Sequence, residues 1–248
     1  MPITTGLNTY VIVPCFNEEF RLNIDYWNEL ISSSDYNWIF VNDGSTDKTK
    51  KKLEQIKGIK ILDLTQNSGK AEAIRAGINH AMEYEDKDDL VISYLDSDSA
   101  FEIKDIKRIF KVFRDKLEKD EIDSVWASRV ALAGREISRS TTRHYLSRIV
   151  ISIIGVFDKK LPYDPQTGFK IFYLNEKTVT LFSTRFKTRW FFDIEIIRRW
   201  EKLKGTQIKI WEEPVEYWYE VKGSKVNKFQ YFRIFREVLY ILAISAKK

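Results

Sequence analysis

The sequence predicts an α/β fold, a mostly parallel sheet with helices on both faces, and two observations carry that reading. Short apolar or β-branched runs alternate with stretches of helical apolar spacing from Thr9 to Leu117, the pattern left by strands joined through crossover helices. Each of the first four runs also stops at a cluster of polar, turn-forming residues. In an open parallel sheet, ligands sit at that edge, beyond the carboxyl ends of the strands. With 248 residues, 44% of them apolar and 31% charged, the chain can bury a full core.

The elements follow in order. Residues 9–14 (TYVIVP) read as a buried strand that its proline cannot extend. Cys15 to Glu19 make a turn, and residues 22–32 have helical spacing. Residues 38–41 (WIFV) form a second strand, running into Asn42-Asp-Gly-Ser-Thr-Asp47, where Thr46 or Asp47 can cap a helix over 48–56. A third strand spans 59–64, followed by Gln66-Asn-Ser-Gly-Lys70 and a helix over 71–83. The fourth strand, 90–95 (LVISYL), halts at Asp96 and Asp98. Alternation along an extended backbone would point both carboxylates the same way, within reach of one ion. Hard oxygen ligands of this kind suit Mg²⁺ or Mn²⁺, with a phosphate completing the shell.

An Asp-x-Asp alone is as readily a surface turn that caps the next helix. Four polar clusters at one sheet edge, Asn17-Glu18, Asp43-Gly44, Asn67-Gly69-Lys70 and Asp96-Asp98, are harder to assign to turns alone. Each has chemistry to match. Pro14 ends a strand beside a base-and-ribose pocket in which Glu18 could accept from ribose hydroxyls. Asp43 could accept from a uracil or guanine N–H. Lys70, after a glycine that lets the backbone come close, could contact phosphate or the donor sugar.

Beyond Phe101, a lysine-rich amphipathic helix spans 103–117 and a further strand over 123–129 brings Arg129 to the same edge. A basic stretch (Arg135, Arg139, Arg143, His144, Arg148) leads into the apolar run 149–157. That run is too short to span a bilayer, and basic residues beside it would suit a lipid phosphate. Asp164-Pro165 is a turn, Gly168 permits close backbone approach, and a strand resumes at 169–172. Asp193 and Glu195 lie among Phe191, Phe192, Ile194 and Ile196 on a helix that runs to Trp200. Buried carboxylates need a partner or a purpose. The loop Gly223-Ser-Lys-Val-Asn-Lys228 could close over phosphates through Lys225, and an aromatic, aliphatic tail follows from Phe229.

The net charge of +5, from 41 basic against 36 acidic residues, fits an anionic ligand or a membrane surface better than duplex nucleic acid. One cysteine, Cys15, excludes an internal disulfide and points to a reducing compartment. No signal-peptide pattern or bilayer-length apolar stretch is present. The expectation is a cytoplasmic enzyme, acting peripherally on the cytoplasmic face of a membrane, with its oligomeric state left open.

The motifs VIVPCFNEE, VNDGSTD, NSGKAEAIRAG and YLDSDSA, in this order, resemble the nucleotide-binding half of the inverting family-two glycosyltransferases of GT-A (Rossmann-like) fold. The resemblance implies that Pro14, Asn17 and Glu18 line the nucleoside pocket, Asp43 binds the base, and Asp96 and Asp98 hold the metal-diphosphate; Gly69 and Lys70, from their own chemistry, complete the nucleotide-sugar side. Asp-Ser-Asp stands where relatives often have Asp-Ala-Asp, leaving both carboxylates in place. Further on, DPQTGFKIF, RWFFDIEII, EEPVEYWYE and GSKVNK resemble the polyprenyl- and dolichyl-phosphate glycosyltransferases, most closely the dolichyl-phosphate glucosyltransferase branch.

That resemblance implies a single GT-A domain over 1–228. Its donor half would be 9–101 and its acceptor half 102–228, with an amphipathic tail at 229–248. The implied reaction is metal-dependent, inverting transfer of a sugar to a polyprenyl or dolichyl phosphate. Glucose as the sugar and UDP as its carrier rest on the likeness alone. A phosphate monoester is largely ionised at neutral pH and needs positioning, which suits Arg129, Arg139 and Lys225, with Asp164 and Gln166 shaping the acceptor loop. A sugar or protein hydroxyl acceptor would need a base, and Asp193 is the first candidate. A catalytically silent nucleotide-binding subunit is the more distant alternative.

Overall fold

The computed structural model describes residues 7–83, 90–157, 161–221 and 228–245. Its strands are β1 (Thr9–Cys15), β2 (Asn37–Asp43), β3 (Ile59–Leu64), β4 (Leu90–Leu95), β5 (Ser124–Ser128), β6 (Glu136–Ser138), β7 (Phe169–Leu174), β8 (Ile210–Pro214) and β9 (Tyr217–Tyr219). Its helices are α1 (Ile24–Ser32), α2 (Thr49–Leu53), α3 (Lys70–Met82), α4 (Ile103–Leu117), α5 (Thr141–Phe157), α6 (Phe192–Lys204) and α7 (Lys228–Ser245).

Seven strands form one sheet in the order β3-β2-β1-β4-β7-β5-β8, and β6 pairs with β9 beside it. β1 to β4 run parallel; β7 lies antiparallel between β4 and β5, and β8 is parallel to β5. The one reversed strand matters for the site. It brings the start of β7, rather than its end, to the edge where β1 to β5 finish, so Leu95 stands opposite Phe169. The sequence expects β1 to stop at Pro14, yet it runs to Cys15, with Pro14 opposite Val41. Pairing with β4 has already ended at Ile12, so a residue without an N–H is tolerated at that level.

Alternation sorts the strand residues between two cores. Val11, Val13, Val91 and Leu95 pack with Trp27 and Leu30 of α1 and Ile109, Phe110 and Phe113 of α4. Tyr10, Ile12, Ile92 and Tyr94 face α3 and α6. A buried face on each side of the sheet explains why β4 is buried along its whole length and carries only one small polar residue, Ser93. Gly77 lets α3 approach most closely, because a Cβ there would lie 2.5 Å from Ile12 Cγ2 and 2.9 Å from Val41 Cγ2. Overpacking of about 1–3 kcal/mol should exceed the helix-propensity gain of about 1 kcal/mol. Gly77→Ala is therefore expected to lower Tm by about 5 °C, measurable by circular dichroism; an unchanged or raised Tm would contradict this packing account.

The run 149–157 is the second half of α5, whose polar first half hid the helix in the sequence. α7 packs on α5 and α6 through Ile151, Ile154, Ile194 and Ile241. The tail thus lies against its own chain, one of the alternatives its amphipathic pattern allows.

Candidate functional site

All four sequence clusters meet at the carboxyl edge of β1 to β4. Asn17 adopts φ +51°, a left-handed conformation its short polar side chain tolerates. It buckles two loops together, its N–H donating to Ser45 Oγ at 3.0 Å and its Oδ1 accepting from the Thr46 N–H at 2.8 Å. Thr46 therefore does not cap α2; Asp47 Oδ1 accepts from the Thr49 N–H instead. Buried Glu18 faces Arg21 Nε at 2.9 Å, and the same guanidinium reaches Asp98 Oδ2 at 3.2 Å. Arg21 had no signal in the sequence, where it reads as a solvated charge.

Asp43 is buried and accepts from the Ser68 N–H at 2.7 Å, the Gly69 N–H at 2.8 Å and Asn67 Nδ2 at 3.1 Å. Most of its lone pairs hold the 67–69 loop, leaving little capacity for a base. Gly44 and Gly69 have φ of +65° and +94°. Arg189 crowds the second, since a Cβ on Gly69 would lie 2.8 Å from its Nε, and Arg189 donates to the Ser68 carbonyl at 2.7 Å. Lys70 Nζ pairs with Asp96 Oδ1 at 2.5 Å. Burial works against the Lys70 charge, but Asp96, Asp193 and Asp98 outweigh it and raise its pKa.

Strand alternation does not bring Asp96 and Asp98 together. The strand ends at Leu95 and Asp98 lies in a turn, held from behind by three ring groups. Trp27 Nε1 donates to the Ser97 carbonyl (3.2 Å), Tyr219 Oη to that of Ser99 (3.2 Å), and Tyr26 Oη to that of Phe101 (2.7 Å). Burial and the neighbouring Asp96 push the Asp98 carboxyl upward, against the opposing pull of Arg21. Two carboxylates whose mutual repulsion a cation would relieve fit a divalent ion. Among the described residues no group of three or more His, Cys, Asp or Glu could hold one. The fit is to Mg²⁺ or Mn²⁺ with phosphate and water as the remaining ligands.

Gly168 supplies the space for this pair. A Cβ there would lie 2.0 Å from Asp96 Oδ2 and 2.3 Å from its Cγ. Gly168→Ala is expected to displace the carboxylate and lower kcat/KM by about 10²-fold while the melting temperature falls only a few degrees. Steady-state kinetics beside a thermal melt would check this, and full activity in the alanine variant would refute it.

On the other flank, Arg129 grips Asp164 through Nε and a terminal nitrogen, both at 2.7 Å, and its backbone N–H adds a third bond at 2.9 Å. Burial raises the Asp164 pKa, but Arg129 overrides it and holds the carboxyl at about 2. Glu212 fixes the turn by accepting from the Asp164 N–H at 2.8 Å. Arg139 lies in the same field: burial, Arg129 and Arg148 all lower its pKa. Arg148 donates to the Tyr163 carbonyl and stacks 3.8 Å over its ring. The group is thus Arg129, Arg139 and Arg148 at a turn that holds two carboxylates, Asp164 and Glu212. Arg135 turns away to Glu216 at 3.0 Å. Gln166 donates to the Trp190 carbonyl at 3.4 Å. Lys225 lies outside the described residues, as do the side chains of Arg143 and His144.

Asp193 and Glu195 go separate ways. Asp193 accepts from the Tyr94 hydroxyl and pairs with Lys170 Nζ at 2.8 Å. Lys170 stands opposite both Tyr94 and Trp126 across the sheet, its Nζ 5.3 and 4.6 Å from their rings. It is fully buried, and burial lowers its pKa against the pull of Asp193. Glu195 instead clamps the preceding loop, accepting from the N–H groups of Lys187 and Thr188 at 3.0 Å and pairing with Arg199 at 2.9 Å. Residues two apart on a helix point to different sides. Lys170 was legible only as a lysine inside an apolar strand.

Comparison with known proteins agrees with this fold. Residues 10–182 match the model of the family described as Glycosyl transferase family 2. The chain is 32% identical over 238 residues to a dolichyl-phosphate beta-glucosyltransferase of Dictyostelium discoideum, covering 88% of this chain and 68% of that protein. It is 29% identical over 252 residues to the Homo sapiens dolichyl-phosphate beta-glucosyltransferase, covering 93% and 74%. Among solved structures, glucosyl-3-phosphoglycerate synthase from Mycobacterium tuberculosis in complex with UDP superposes with a TM-score of 0.68 at 15% identity, covering 99% of this chain and 82% of that one. The same synthase has been solved with Mn²⁺, UDP and glucosyl-3-phosphoglycerate (TM-score 0.66, 17% identity, covering 99% and 82%). These likenesses show the GT-A fold.

Proposed function

Because the chain belongs to glycosyl transferase family 2, and is a glycosyltransferase, we propose that it transfers glucose from UDP-glucose to the phosphate of a polyprenyl carrier such as dolichyl phosphate, inverting the anomeric carbon. The observation that carries the acceptor is the cluster of Arg129, Arg139 and Arg148 at the 163–164 turn, three cations against the carboxylates of Asp164 and Glu212. Its net positive charge suits a phosphate monoester. The names of the relatives support the same acceptor.

In the reaction, an acceptor phosphate oxygen forms a bond to the glucose C1 as the bond from C1 to the diphosphate oxygen breaks. The attacking oxygen is already anionic, the second phosphate pKa being near 6, so no base has to remove a proton. Arg129 and Arg139 orient the phosphate and offset its charge. Asp96 and Asp98 would hold Mg²⁺ or Mn²⁺, which when bound neutralises charge on the departing diphosphate. Lys70 would contribute a second positive charge there. The UDP and Mn²⁺ complexes of a neighbour with the same fold support this donor and ion. Asp193, ion-paired with Lys170 and bonded by Tyr94, is poorly suited to act as a base, which favours the phosphate over a hydroxyl acceptor.

The reading also takes the enzyme to a bilayer surface, where such a carrier resides. No described helix is long and apolar enough to cross a membrane. Ile149, Ile153 and Val156 of α5 and Phe235 and Leu239 of α7 are nevertheless exposed, with Arg233 and Arg236 exposed among them. Apolar helical faces flanked by arginines suit the interface of an anionic bilayer.

The test is incubation of purified protein with Mn²⁺, UDP-glucose and a polyprenyl phosphate, followed by mass spectrometry of the organic phase. A hexosyl polyprenyl phosphate is the expected product. UDP-glucose binding without any lipid product would overturn the acceptor assignment.

A further inference from the structure

We propose that Glu237, in the C-terminal helix, is a positioning residue for the segment that joins the donor and acceptor sides of the site. Glu237 is only 7% exposed although α7 is amphipathic, and its Oε2 accepts from the Trp190 N–H at 2.8 Å. A buried carboxylate aimed at one backbone amide, 47 residues away in sequence, is a costly arrangement for packing alone. It also lies just ahead of α6, whose first-turn amides favour a negative charge.

Segment 188–190 is where the two halves of the site meet. Its Thr188 N–H and hydroxyl are held by Glu195 at 3.0 and 2.9 Å. Its Arg189 covers Gly69 and bonds the Ser68 carbonyl in the loop that Asp43 organises. Its Trp190 carbonyl accepts from Gln166, two residues after Asp164. Two of these anchors, Ser68 and Gln166, lie within the residues 10–182 that the family model matches, and the other two, Glu195 and Glu237, come from α6 and α7 beyond them. Without Glu237 the Trp190 amide has lost its charged acceptor, and both the Gln166 contact and the Arg189 reach depend on where that peptide sits. α7 thereby ties the helix pair that carries the exposed apolar face to the geometry of the acceptor loop.

The assignment of Gln166 to the acceptor rests on the lipid-phosphate reading, so the experiment has two arms. Hydrogen–deuterium exchange of the peptides covering 187–192 measures the position directly, with no substrate. Hydrogen bonds to charged groups are stronger than neutral ones, so Glu237→Ala should speed exchange at Trp190 by about tenfold or more, with the body of α6 unchanged. In steady-state kinetics the same variant should raise the acceptor KM by about tenfold with a smaller effect on kcat. Glu237→Gln retains a carbonyl acceptor for the Trp190 N–H and should recover most of both. Wild-type exchange and KM in Glu237→Ala would overturn the proposal. So would equal defects in both variants accompanied by a matching loss of Tm, the signature of a purely structural group. If the wild type glycosylates no lipid phosphate, the acceptor reading fails while the exchange arm still decides whether Glu237 positions Trp190.

Discussion

Asp98→Ala is expected to lower turnover by about 10³-fold, because stabilisation of a departing diphosphate by a bound cation is worth several kcal/mol and each 1.36 kcal/mol is about a factor of ten. The fold should survive. Arg21, which bridges Glu18 and Asp98, keeps its Glu18 partner at 2.9 Å, and the backbone of the turn is held by Trp27, Tyr26 and Tyr219 rather than by the Asp98 side chain. Calorimetry should therefore find that Mn²⁺ no longer strengthens UDP binding, while the thermal melt shifts by only a few degrees. A variant that still forms product at a tenth of the wild-type rate or better would sink the assignment of Asp98 to the cation.

Arg129→Met should produce the largest loss of stability. It leaves the Asp164 carboxylate, which is 7% exposed, without the guanidinium that holds it at a pKa of about 2 against an ordinary 3.8. Breaking a buried pair from one side costs about 3–5 kcal/mol, corresponding to a fall in Tm of about 10 °C for a chain of this size. The pH dependence has a definite sign. In the wild type the folded pKa is depressed, so the stabilisation is complete above about pH 4 and is lost as pH falls toward 2. In the variant the guanidinium no longer opposes burial, and only Arg139 and the residue-129 N–H still favour the charged form, so the folded carboxyl titrates higher than in the wild type and acidification relieves the penalty. The gap in Tm between the two proteins should narrow from pH 7 to pH 3.5; a gap independent of pH would contradict the pairing. Product formation from the lipid acceptor should fall as well, since Arg129 is also a phosphate ligand in the proposed reaction.

How far the sequence could be read depended on how local the information was. β3, β4 and α4 have the limits that apolar spacing predicts, because period and turn chemistry are written within each segment. The polar clusters at 17–18, 43–44, 67–70 and 96–98 were legible as one edge because parallel connectivity forces strand ends together. Alternation predicts that Asp96 and Asp98 point the same way, but the strand ends at Leu95 and a turn sets Asp98. The helix over 48–56 ends early at Leu53, where a turn leads to Gly58 at φ +75°. Tyr94 and Lys170 show in the sequence only as strand residues, and their hold on Asp193 follows from the pairing of β4 with β7.

By itself, the sequence determined the α/β architecture, the order of its strands along the chain and the chemistry of its turn motifs, because each of these follows from neighbours a few residues apart. Only the tertiary structure decided that β7 runs antiparallel and so brings Asp164 and Gly168 to the carboxylate pair. The same holds for Arg21 reaching Asp98 across 77 residues, Arg189 reaching Ser68 across 121, and Glu237 reaching Trp190 from the last helix. The physical reason is common to all of them: a charge on an isolated segment reads as solvated, and its partner exists only once burial makes leaving it unpaired too costly.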